Sequence, residues 1–140
     1  MYLYFLTILF VLISSLATSS AENDFKQISK NEPIDHAAQW VARAILSFLA
    51  VLSLAFLCYL GTDCSWGLLI VYYSMVSAFW FSVLFRHQLN LKRKLSYDYI
   101  SNSNVYDSVF ITIAGKNGGK LAIIFELVMV AIFSYLSLHV

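Results

Sequence analysis

The sequence predicts an all-α, polytopic helical membrane protein, with three transmembrane helices preceded by an N-terminal hydrophobic segment. Two observations carry this. Charged residues make up 12% of the 140-residue chain and hydrophobic residues 60%, with a mean hydropathy of +0.73. An ordinary soluble domain carries about 25% charge. The uncharged residues also gather in runs of membrane length, since about 20 helical residues cross a ~30 Å hydrocarbon core. Lipid offers no hydrogen-bond partners, so each run must satisfy its own backbone as a helix. Strands of a barrel would alternate over about 10 residues; these runs are largely apolar on every face. The composition argues against a disordered chain, a nucleic-acid-binding domain and an ordinary cytosolic enzyme. The net charge of +1 says nothing about partners.

The first segment, residues 1–21, holds no charged side chain. Tyr2–Ile13 is apolar apart from Thr7, and Ser14–Ala21 is mostly small or polar. Ser19 and Ala21 stand where a signal peptidase reads its −3 and −1 positions, yet no Lys or Arg precedes the apolar core. A cleaved signal peptide and a retained first helix are the two readings. The basic residues favour the second. All nine Lys and Arg lie in Glu22–Arg43 or Arg86–Lys120, two stretches separated by two crossings and therefore on one side. The positive-inside rule places that side, with loop 86–118, in the cytoplasm, and the C-terminus outside. Such a chain belongs in a bacterial inner membrane or its equivalent.

The single membrane domain, residues 22–140, is expected to hold helices at about 33–61, 64–85 and 119–140, with a polar loop at 86–118. Pro33 suits a first helical turn, and Asp35 complements the helix dipole there. Trp40 and Arg43 suit the interface. Ala44–Thr62 and Cys64–Phe85 are uncharged runs of 19 and 22 residues, joined by a tight turn at Gly61–Asp63 where glycine and aspartate can cap. They should form an antiparallel hairpin packed along its length. In the loop, Asn104 and Asp107 resemble a helix start. Val105, Val109 and Ile113 recur every four residues, as in a helix lying on the membrane surface, although the β-branched content also allows a strand. Gly115, Gly118 and Gly119 break it before the last span.

Few residues point to chemistry. Glu126 is the one acid in Leu121–Val140, on a face with Ala122 and Val130. An acid at the bilayer centre costs roughly 2.5–3.5 kcal/mol on insertion scales, so it turns toward other helices or water. It serves either as an ion or proton site or partner contact, or as a packing residue held by Ser or Tyr hydroxyls. Ser74, Ala78 and Ser82 form a small-residue stripe that lets a second helix approach closely. Lys92, Arg93 and Lys94 form a basic cluster facing lipid headgroups. Cys58 and Cys64 can bridge the turn in an oxidising compartment, but their spacing is not the C-x-x-C of a thiol oxidoreductase. His36, His87 and His139 are isolated from one another and from cysteine, so no metal site is expected, and no nucleotide, cofactor or catalytic motif occurs. The expected role is therefore that of a non-enzymatic subunit or accessory protein of a membrane assembly. Its partners are the bilayer and other membrane helices, as a hetero- or homo-oligomer, and not nucleic acid. Two alternatives share these features. One is an oligomeric channel, holin-like pore-former or transporter subunit with a polar path along Glu126, Ser134, Ser137 and His139. The other is an immunity or exclusion protein acting on another membrane protein.

Overall fold

The structure, a computed structural model, describes residues 2–33, 36–61, 65–101 and 105–140. These residues form five α-helices and no strand: α1 (Tyr2–Ser29), α2 (His36–Gly61), α3 (Trp66–Lys92), α4 (Val105–Ala114) and α5 (Gly118–Ser137), with one 3₁₀ turn at Gly115–Asn117. Four helical stretches are long and apolar enough to cross a membrane, and the N-terminal segment is one of them. Asp35, Asp63, Cys64 and Asn104, to which the sequence assigns caps, a disulfide and a helix start, lie outside the described residues.

Helix α3 is the hub, packing against α1, α2 and α5. On α1 the buried residues are Leu6, Leu9, Ile13, Ala17, Ser20, Ala21 and Asp24, a stripe at helical spacing. Of the small residues that resemble a cleavage region, Ala17, Ser20 and Ala21 lie on the packed face, where a short side chain permits close approach, while Ser15, Thr18 and Ser19 are exposed. The Trp80 indole donates to the Ser14 hydroxyl at 3.0 Å, and its ring meets Phe10 edge-on. At the other end of α1 the Tyr2 hydroxyl donates to the Val140 carbonyl at 3.0 Å. Both chain ends therefore share one end of the bundle, and the basic segments share the other.

The helices stop for identifiable reasons. At the ends of α1 and α3 a residue takes the left-handed conformation, Asn31 at φ 54° and Lys94 at φ 57°. The next amide reaches back to the helix in each case, Glu32 to the Gln27 carbonyl at 3.0 Å and Leu95 to the Asn90 carbonyl at 2.9 Å. This is the Schellman arrangement, which satisfies carbonyls the helix would otherwise strand. Helix α3 runs seven residues past Phe85, the end expected from the sequence, so Arg86 lies inside it. Helix α2 begins at His36, not at Pro33, while α1 continues past Ala21 to Ser29.

Two further expectations change. The α2–α3 hairpin packs near its turn, where Val51, Leu54, Ala55 and Cys58 join Leu69, Tyr73 and Val76 in the core. Toward the basic end no described side chain of residues 38–50 is buried. There the helices meet through the Arg43 guanidinium, which sits over the Phe85 ring at 4.7 Å. Helix α4 does keep Val105, Val109 and Ile113 outward. On its opposite side Phe110 docks on Phe125 and the Tyr106 hydroxyl reaches Glu126, so α4 is packed on the bundle as well.

Close packing of α4 and its preceding loop depends on glycine. A Cβ on Gly119 would stand 1.6 Å from the Asp98 carbonyl oxygen, and one on Gly118 2.8 Å from that of Phe110. Gly119→Ala is expected to destabilise the protein by about 1–3 kcal/mol, because backbone must move and helix propensity returns only part of the loss. Gly67→Ala, with open space around it, is the control and should be neutral or mildly stabilising. Thermal unfolding in detergent distinguishes the two.

Candidate functional site

Glu126 is fully buried, just over two turns into α5, with Ala122 and Val130 buried on the same face. One carboxylate oxygen accepts from the Ser82 hydroxyl at 2.7 Å and the Tyr106 hydroxyl at 3.1 Å. The Arg86 guanidinium spans both oxygens, at 3.0 and 3.3 Å. It also donates to Ser82 at 3.3 Å and lies 3.6 Å from the Asp107 carboxylate. The Glu126 side chain is 0% exposed and that of Arg86 12%. A fork-like arginine contact of this kind is both strong and directional.

Helical register explains why these groups meet. Arg86 lies six residues before Lys92 and Glu126 six residues after Lys120, so each sits about 9 Å inside the basic end. Helix α4 completes the cluster. The left-handed Gly115 (φ 53°) turns the chain, so that α4 lies alongside the start of α5. Phe110 packs on Phe125, and Tyr106 and Asp107 reach the ion pair. The loop before α4 is tied down by Asn90, 3% exposed, whose amide donates to the Tyr99 carbonyl at 2.9 Å.

A second ion pair lies at similar depth. Arg43 bonds Asp24, whose side chain is 5% exposed, and Arg43 also donates to the Gln39 side-chain amide oxygen at 2.9 Å. Gln39 donates in turn to Gln27 at 2.7 Å. The two pairs fasten the bundle at one level, α1 to α2 through the first, and α3, α4 and α5 through the second. Below and between them, α2 and α3 border a cavity of about 600 Å³.

Ser74, Ala78 and Ser82 all line this cavity, and Ser82 also bonds α5 through Glu126. Of the basic trio, Arg93 lines the cavity mouth, Lys92 ends α3, and Lys94 forms its left-handed cap. Cys58 is buried in the core. Among the remaining polar residues of α5, Ser137 bonds the Ser134 carbonyl at 2.8 Å, and the exposed His139 ring meets the Tyr135 carbonyl at 2.8 Å. Both contacts are within their own helix end, some distance from the enclosed Glu126.

The sequence identifies Glu126 and the kind of hydroxyl it needs, but not Arg86, Asp107, Asp24 or Arg43. The usable signal is that a buried acid calls for a cation at its own depth. The matching six-residue offsets of Arg86 and Glu126 supply one. No protein-family model matches the chain, and no curated protein or solved structure matches it either.

Proposed function

We propose that the protein is a non-enzymatic helical component of a larger membrane assembly, acting through helix–helix contacts, with its basic end in the cytoplasm. The observation that carries this reading is the closed charge cluster. Glu126, the one acid in Leu121–Val140, spends its hydrogen bonds on Ser82, Arg86 and Tyr106. An intramembrane acid that carries ions or protons needs a wet path; this one is enclosed. The outer surface then bears the function. Helix α2 offers the largest unpacked stretch, with Ile45, Leu46 and Leu49 each more than half exposed. In lipid, helices associate by close packing and polar contacts and not by hydrophobic force. The confinement of all nine basic residues to segments at one end supports the orientation.

Residue-specific photocrosslinking in intact membranes tests this. A photoreactive side chain at Ile45 or Leu49 should give a discrete protein adduct, and one at the core position Ile13 should not. Adducts to lipid alone from every position on α2, with a monomer after extraction in mild detergent, would reject the assembly reading.

A further inference from the structure

The cavity between α2 and α3 is amphiphilic along the axis of the bundle. Its walls at the basic end carry Arg43, Arg86 and Arg93 against a single acid, Asp107. Its deeper walls carry Phe48, Val51, Ala78 and Phe79, with Ser74 and Ser77 as the polar side chains among them. Val51 lies eight residues beyond Arg43 along α2, and Phe79 seven before Arg86 along α3, so the apolar floor is about 10–12 Å deeper than the arginines. A volume of about 600 Å³ is ample for a small-molecule site.

Three features point to an occupant with an anionic head and an apolar tail. Arg43 and Arg86 are bonded to Asp24 and Glu126, neither of which lines the cavity, so both guanidinium groups are fixed at its wall. Arg93 is exposed at the mouth and makes no ion pair among the described residues. Ser77, 2% exposed, also lines the wall, and its hydroxyl has no hydrogen-bond partner among the described residues. The direction of the gradient also fits a bilayer whose surface lies at the basic end, with Arg93 nearest that surface and the apolar walls toward the midplane. A soluble phosphate would use only the arginines and leave the apolar floor unexplained.

We propose that this cavity binds one acidic phospholipid, with its phosphate at Arg93 beside Arg43 and Arg86, and an acyl chain along Phe48, Val51 and Phe79. Basic pockets between membrane helices suit such headgroups. The acyl chain then fills the space between α2 and α3 on the midplane side of the Arg43–Phe85 contact.

Native mass spectrometry tests this on the full chain, delipidated in detergent and titrated with phosphatidylglycerol or phosphatidylcholine of identical chains. One phosphatidylglycerol should bind per chain in preference to phosphatidylcholine. Arg93→Gln, at an exposed position, should weaken phosphatidylglycerol about fivefold and so narrow its preference over phosphatidylcholine. Ala78→Phe, which fills the cavity from an exposed position, should abolish the bound lipid while the helical circular dichroism persists; Ser74→Leu is the second variant should Ala78→Phe not fold. Equal, non-saturating uptake of both lipids, unaffected by either cavity-filling variant, would overturn the proposal. So would a lipid-free dimer that Ala78→Phe dissociates, because a second copy would then occupy the groove. Neither result depends on whether α2 contacts other chains.

Discussion

Glu126→Leu is expected to destabilise the bundle by about 3–5 kcal/mol, because it leaves Arg86 buried with only the more distant Asp107. It also removes the acceptor for the Ser82 and Tyr106 hydroxyls. Glu126→Gln keeps the shape and one acceptor oxygen, so it should cost less, about 1–3 kcal/mol. Thermal or denaturant unfolding in detergent gives the order directly. An acid that worked by ion or proton transfer would show the opposite pattern, with both variants stable and both inactive.

Arg43→Met should have an effect of similar size. Asp24 would lose its cation while remaining inside the bundle, and removing one partner of a buried pair costs about 3–5 kcal/mol. The damage should be local as well as global. Asp24 sits five residues before the end of α1 and is the polar terminus of its buried stripe. Hydrogen exchange should therefore rise first in residues 22–29, where α1 is fastened to α2. Replacing both partners, as in Asp24→Leu with Arg43→Met, should recover much of the loss. A pair that contributed nothing would leave the single variant near wild-type stability.

The helical architecture was legible because lipid imposes a simple condition, a run of about 20 residues able to satisfy its backbone alone. Ala44–Thr62 and Leu121–Val140 meet it without knowledge of any contact. The face of Glu126 was legible too, since Ala122 and Val130 follow from the helical period. The extent of α3 was not. Arg86 reads as the end of a span when charge alone marks the boundary, and it reads as an interior residue only when its acids, forty and twenty-one positions later, are brought to it. The role of α4 was hidden for a related reason. Its valine and isoleucine stripe is real and faces outward, but Tyr106 and Asp107 gain their meaning from a long-range docking that local periodicity does not encode. The opening between α2 and α3 was equally invisible, because a tight turn constrains helices only near the turn.

The central claim is that the charge buried in this bundle is neutralised from within, by Arg86 and Glu126 acting as one unit. A double-mutant cycle measures that directly, comparing Arg86→Met, Glu126→Leu and the combined variant by unfolding free energy in one detergent. The account predicts that the combined variant is more stable than the sum of the single losses allows, with a coupling of about 1–3 kcal/mol. Losses that simply add, within about 0.5 kcal/mol, would mean that the two residues do not depend on one another and would contradict it.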